Sequence, residues 1–165
     1  VAIAVVTGNP KAASRTLSAA TMVAEQIGGT SPDVVIDVVG LGAGLLGWGD
    51  QAVKAAVESV QRAQLVIVAS PTYKATYTGL LKLFLDQFPA NGLTGVVAVP
   101  LMLGGAMTHA LAPEVFLKPV LVELGATCPT RALFLLETDF DNPDVLAPWL
   151  VDARPQLLAA MGTKT

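Results

Sequence analysis

Two stretches of this chain are apolar at nearly every position: LVIVA at 65–69, and VVAV inside GVVAVPLM at 95–102. A strand with one wet face alternates polar and apolar residues. A strand that is apolar throughout must be covered on both faces. The simplest arrangement that does this is a parallel sheet between two layers of helices. The flanking pattern agrees, because short apolar runs alternate five times with stretches of helical spacing. Strands are expected at 2–7 (AIAVVT), 34–39 (VVIDVV), 65–69, 95–102 and 131–137 (RALFLLE). Leu17, Ala20, Val23, Ala24 and Ile27 mark the first helix, with Ser14 as N-cap and Gly28-Gly29 as its stop. Asp50 can cap a second helix carrying Val53, Val57 and Val60, and Leu80, Leu81, Phe84 and Leu85 stripe a third. Residues 107–124 read as one helix, and a final helix after Asn142 contains Pro148 and Pro155, at either of which it can bend. The expected fold is α/β, a doubly wound five-stranded parallel sheet with helices on both faces, in one domain covering 1–165. The 165 residues suffice for such a core.

In doubly wound sheets ligands sit beyond the carboxyl ends of the strands. The loops after the first, third and fourth strands should therefore meet at one edge: TGNPKAASRT, SPTYKATYTG and LGGAMTH. The first leads into a helix start, where backbone N–H groups and the hydroxyls of Ser14 and Thr16 can take a phosphate. Asn9 can hydrogen-bond to loop or ligand, and Arg15 can add charge. GxxxxGK[ST] is missing, so this is no P-loop. GAGLLG at 42–47 matches G-x-G-x-x-G, but Gly47-Trp48-Gly49 breaks the helix the fingerprint needs, and Ile67 stands where an acid should be. The first strand carries no carboxylate for phosphoacceptor chemistry. One histidine and one cysteine make neither a metal cluster nor a triad. Cys128 reads as a small buried hydrophobe and His109 as a helix-start or interface residue.

The other classes are narrowed by charge. With 10 basic and 13 acidic residues, net −3, there is no basic stripe for nucleic acid. Apolar residues form 53% and charged ones only 14%, so some surface is expected to be covered by another subunit. There is no apolar run of membrane-span length, the start reads as a strand rather than a leader, and a lone cysteine builds no disulfide framework, so a cytoplasmic setting is expected. The ligand left by these exclusions is a flat cofactor with a phosphate, its ring between the third and fourth loops. Gly104-Gly105 would let backbone approach that ring. Flavin nucleotide and another nucleotide both stay open on these grounds.

GNPKAASRT, SPTYKATYTGLLKLFLDQFP and VPLMLGGAMTHALAPEVFLKPVLVELGA together resemble the NAD(P)H-dependent FMN reductases of flavodoxin-like fold. The similarity is strongest to the sulfonate-utilisation branch, and Asn9 departs from its usual serine. The resemblance implies that Asn9, Ser14, Arg15, Thr16 and Leu17 line the phosphate and ribityl region. It implies that Pro71, Thr72, Tyr73 and Lys74 hold the ring and its chain, and that Gly104 and Gly105 meet the far edge of the ring. The implied activity is hydride transfer from NADPH or NADH to FMN, with reduced FMN passed to an FMNH2-dependent monooxygenase. A homotetramer is implied as well, for which the apolar residues of the 76–88 segment suggest a contact. No side-chain acid or base is assigned. Tyr77 matches an extra tyrosine in that branch and is expected to open a wide π-type turn serving flavin exchange and assembly. A tightly FMN-bound quinone or azo reductase and a flavodoxin-type carrier would share most of these residues.

Overall fold

The computed structural model describes residues 1–162, so the last three residues of the expected 1–165 domain lie outside the described residues. Five strands form one sheet: β1 (Ile3–Thr7), β2 (Val34–Asp37), β3 (Leu65–Pro71), β4 (Val97–Gly104) and β5 (Leu133–Leu136). All pairings are parallel and the spatial order is β2-β1-β3-β4-β5, the flavodoxin-like winding. β1, β3 and β4 are buried along their whole length, as their unbroken apolarity requires.

Period 2 divides the side chains into two cores. Ile3, Val5, Ile67 and Val99 meet α1 (Arg15–Gly28) and α5 (Pro143–Gly162). Ala4, Val6, Val66 and Ala98 meet α2 (Gln51–Gln61), α3 (Gly79–Leu85) and α4 (Lys118–Glu123). Phe84 is fully buried and stacks edge-on with Phe88 at 5.4 Å. Burial of a side chain of that size contributes about 1.5–3 kcal/mol. The helix starts follow the sequence: Ser14 accepts from Leu17 N–H, Asp50 from Ala52 and Val53, and Thr78 from Leu81. α5 runs through Pro148 and Pro155. The carbonyls they leave unbonded belong to Asp144 and Val151, both exposed, so water can serve them.

Four local expectations are corrected. β2 ends at Asp37, and residues 38–46 wind into 3-10 turns kinked at Gly42 (φ +55) instead of a loose loop. Residues 107–124 are not one helix. A 3-10 turn at Met107–His109 and a π turn at Pro113–Leu117 precede α4. The wide turn is therefore not at Tyr77, which precedes the cap residue Thr78 and adds nothing to the regular helix α3. Pro119 gives a reason for its actual place. Proline has no N–H for the carbonyl four residues back and its ring crowds that carbonyl, so widening the preceding turn, with Lys118 N–H on Pro113 O, relieves the strain. Finally, the apolar side chains of 76–88 mostly face inward: Leu81, Phe84, Leu85 and Phe88 are buried. Leu83 alone of that segment's large apolar residues is exposed, whereas the 107–122 segment exposes Met107, Leu111, Val115, Phe116 and Val122.

Candidate cofactor site

The first loop leaves β1 at Gly8, whose N–H donates to Ala69 O at 2.9 Å. A Cβ on Gly8 would lie 2.3 Å from Leu81 Cβ, so only glycine lets this loop rest on α3. Asn9 folds the loop that follows. Its Oδ1 accepts from Lys11 N–H at 2.9 Å and its Nδ2 donates to Thr16 Oγ1 at 3.1 Å. Ser14 and Thr16 are both buried at the start of α1. That 14-residue helix has no acid in its first turn, so its N-terminal partial charge is uncompensated from within the helix. The N–H groups of Arg15 and Thr16 fall within the first turn, where no intrahelical acceptor exists.

Two residues of this group sit differently. The Arg15 side chain is 64% exposed and crosses to the loop after β5, with Nη2 3.5 Å from Glu137 Oε2 and Nη1 donating to Glu137 O at 3.5 Å. Leu17 gives its N–H to Ser14 and packs its side chain on the α1–α5 core, so it supports the loop more than it offers a donor.

The second loop is a tight reversal. Tyr73 N–H donates to Thr76 O at 2.9 Å and Thr76 N–H to Tyr73 O at 3.2 Å, while Lys74 and Ala75 both have positive φ (+51 and +72). This is the backbone of a type I′ turn built without glycine or asparagine at its centre. Left-handed residues with a Cβ cost about 1–2 kcal/mol each, and such strain gathers at ligand sites. The turn leaves Tyr73 49% exposed and Lys74 exposed, while Pro71 closes β3 in the core. Tyr77 is half-buried against the α2–α3–α4 core.

The base of the turn is pinned on every side. Thr72 Oγ1 donates to Leu103 O at 2.8 Å, Thr78 N–H to Ser70 Oγ at 3.0 Å, and Thr78 Oγ1 to Gly8 O at 2.5 Å. The first two loops are thereby one bonded unit. β4 brings in the third. At Gly104 a Cβ would meet Phe134 Cζ at 2.6 Å and Thr72 Oγ1 at 3.2 Å, whereas Gly105 is exposed with open space before it.

The edge thus offers a capped helix start with two hydroxyls, a rigid aromatic turn and a side-chain-free floor. Thr7 adds a further sign of fit. It ends β1 beneath the first loop, is 0% exposed, and its Oγ1 has no hydrogen-bond partner. A concavity of about 420 Å³ touches the first loop at Ala13 and runs along Leu17, Thr21 and Glu25 of α1. Two concavities of about 350 Å³, one at Lys118, Arg131 and Trp149 and one at Trp48 and Val57, include no residue of the three loops. Among the described residues no group of three His, Cys, Asp or Glu could hold a metal, and no helix is long and apolar enough to cross a membrane. Burial pushes the Cys128 thiol up to about 11, which leaves it protonated and inert at neutral pH. His109 is exposed on the turn after Gly105.

Residues 1–141 match the model of the NADPH-dependent FMN reductases. The chain belongs to the NADPH-dependent FMN reductase family. A curated relative from Escherichia coli K12, "FMN reductase (NADPH)", is 48% identical over 75 residues, 46% of this chain and 39% of that protein. "NADH-dependent FMN reductase SfnF" of Pseudomonas putida is 32% identical over 92 residues, 56% of this chain and 50% of that protein. The matched part is therefore at most about half of either curated relative. A solved NADH:FMN oxidoreductase (EMOB), apo form, superposes with a TM-score of 0.84 at 30% identity, over 99% of this chain and 90% of its own.

The singled-out residues gather at one sheet edge: Asn9 and Ser14 on the first loop, Arg15, Thr16 and Leu17 in the first turn of α1, Pro71 and Gly104 at the ends of β3 and β4, and Thr72, Tyr73, Lys74 and Gly105 on the loops that follow. Sequence reasoning missed the groups that hold this edge of the FMN reductase fold together: Gly8, Ser70, Asp37 and Glu137. Gly8 carried a faint signal, a glycine directly after the first strand. Ser70 bonds within its own loop, donating to Pro71 O and accepting from Thr78 N–H, while Asp37 and Glu137 carried no signal because their partners are remote in the chain.

Proposed function

We propose that this protein is an NAD(P)H-dependent FMN reductase that gives up reduced FMN to a partner monooxygenase. The observation that carries the proposal is the start of α1, which has no acid in its own first turn and has Ser14 and Thr16 buried in it, on the same sheet edge as the rigid 73–76 turn and Gly104-Gly105. In this reading Ser14, Thr16 and the first-turn N–H groups hold the terminal phosphate of FMN, with Asn9 ordering the loop. Pro71, Thr72, Tyr73 and Lys74 hold one side of the ring, and the Gly104-Gly105 backbone approaches the other. FMN, when bound, supplies the chemistry by accepting hydride from the nicotinamide. The chain's work is to bind, orient and keep one ring face open for stacking, which by itself lowers a barrier by several kcal/mol. No proton need be moved by a side chain. The exposure of Tyr73 suits a flavin that comes and goes.

The exposed apolar residues from Met107 to Val122 are the proposed contact of a homotetramer. Relatives' names divide between NADPH and NADH, so the nicotinamide preference is best measured. Steady-state oxidation of both nucleotides with and without added FMN tests the proposal, alongside flavin content after gel filtration. Turnover that requires free FMN, from protein that leaves the column largely without flavin, is expected. Retained FMN with fast quinone turnover would replace this reading with a quinone reductase. A dilution-stable monomer of about 17.0 kDa in sedimentation would remove the tetramer.

A further inference from the structure

We infer that Asp37, at the end of β2, is the positioning residue that sets the phosphate-binding turn and with it the preference for FMN over flavin without phosphate. The inference rests on the FMN reading above. Its basis is a strained residue and the single group that holds it.

Ala13 stands directly before the N-cap Ser14 and has φ +50, a left-handed backbone that residues with a Cβ avoid. Its N–H donates to Asp37 Oδ2 at 3.0 Å. Asp37 is the last residue of β2, and its Cα partner in the sheet is Thr7, the last residue of β1. The carboxylate is thus fixed to the sheet, Ala13 to the carboxylate, and the extended Ser14 (φ −77, ψ 165) to Ala13. The direction of the first-turn N–H groups is set by that line. Asn9 orders the loop from its other end through Lys11 and Thr16, and nothing but Asp37 bonds to Ala13 among the described residues.

The carboxylate is an unusual choice beneath a phosphate turn, since its negative charge opposes a second anion. Its Oδ1 is buried without a partner, as is the Thr7 hydroxyl paired with it in register. An amide would keep the acceptor and drop the charge. Acceptor and charge are therefore separable by substitution.

The test is a fluorescence titration of FMN and riboflavin against the full chain, with circular dichroism as the check on folding. Asp37→Ala is expected to weaken FMN about tenfold or more, the worth of a hydrogen bond to a charged group, and riboflavin by less than about twofold on the same reasoning. Asp37→Asn retains the acceptor and is expected to bind FMN as tightly as the parent or more so. Ala13→Gly in the Asp37→Ala background should regain part of the loss, because glycine takes a left-handed φ without the Cβ penalty.

An Asp37→Ala variant that keeps the parent's FMN-to-riboflavin ratio overturns the inference. If that variant does not fold, Asp37→Asn decides instead. A tenfold fall in its ratio would overturn the inference, because the acceptor alone should suffice; an unchanged or higher ratio would support it. A parent that binds both flavins equally would instead remove the phosphate reading itself, before Asp37 comes into question.

Discussion

The two flanks of the crevice are built in opposite ways. Loops 8–14 and 71–78 are tied by side chains to the sheet and to each other, through Asn9, Asp37, Ser70, Thr72 and Thr78. They hold positive φ at Ala13, Lys74 and Ala75. The facing segment, 105–112, has backbone turns alone, the first of them a long bond from His109 N–H to Ala106 O at 3.5 Å. It also exposes Met107 and Leu111. Its anchor comes later, at Glu114, which accepts from Ala132 N–H at 2.6 Å and from Lys118 Nζ at 2.7 Å. One flank is finished by the chain itself. The other presents apolar surface that a second copy would cover. In the proposed reading the finished flank takes the phosphate and the open one the second copy.

That contrast breaks first at Gly8. Gly8→Ala forces a Cβ into Leu81 at 2.3 Å, backbone and β-carbon against β-carbon, so neither side can turn away. A loss of about 2–3 kcal/mol is expected in urea unfolding, together with weakened FMN. A variant as stable as the parent would show that the first flank is not rigidly seated on α3.

Thr78→Val comes next. It removes the α3 cap and the bond to Gly8 O while keeping the shape, for an expected loss of about 1–2 kcal/mol. FMN should weaken with it, because the two loops part. Unchanged flavin titration would mean that each loop stands alone.

On the open flank, Phe116→Ser should leave the unfolding free energy of the dissociated chain within about 0.5 kcal/mol, as for other surface changes. Sedimentation is expected to move toward smaller species, and flavin affinity per chain to hold. An intact assembly would place the interface elsewhere.

A small effect, with no change in assembly or flavin affinity, is expected at Glu114. Burial pushes its carboxyl up, but the Ala132 N–H and the Lys118 ammonium outweigh this and hold it below its ordinary 4.5. Such a group adds stability above the ordinary carboxylate range and loses it as pH falls through the lowered folded value. Glu114→Gln should cost at most about 1 kcal/mol at neutral pH, since the pair is partly exposed. The difference from the parent should shrink as pH falls below the ordinary carboxylate value and through the lowered folded one. A constant difference would show that shape, not charge, braces the π turn.

The parallel sheet was legible because its cause is local. Val66-Ile67-Val68 and Val96 through Val99 are apolar on both faces wherever they are placed. Ser14 and Asp50 were legible as caps for the same reason, since a cap and its N–H lie within three residues. The π turn was misplaced at Tyr77. A tyrosine before a cap and a tyrosine inside a helix look alike until the Tyr73–Thr76 reversal is seen, which delays α3 to Gly79.

By itself the sequence determined that there would be a covered parallel sheet, polar loops at its carboxyl edge and a capped helix start among them. Tertiary structure alone decided what holds that edge. Asp37 meets Ala13 across 24 residues, Thr78 meets Gly8 across 70, and Arg15 meets Glu137 across 122. A hydrogen bond acts only near 3 Å and within a narrow angle. Whether such remote groups meet depends on strand order and register, which no local periodicity encodes.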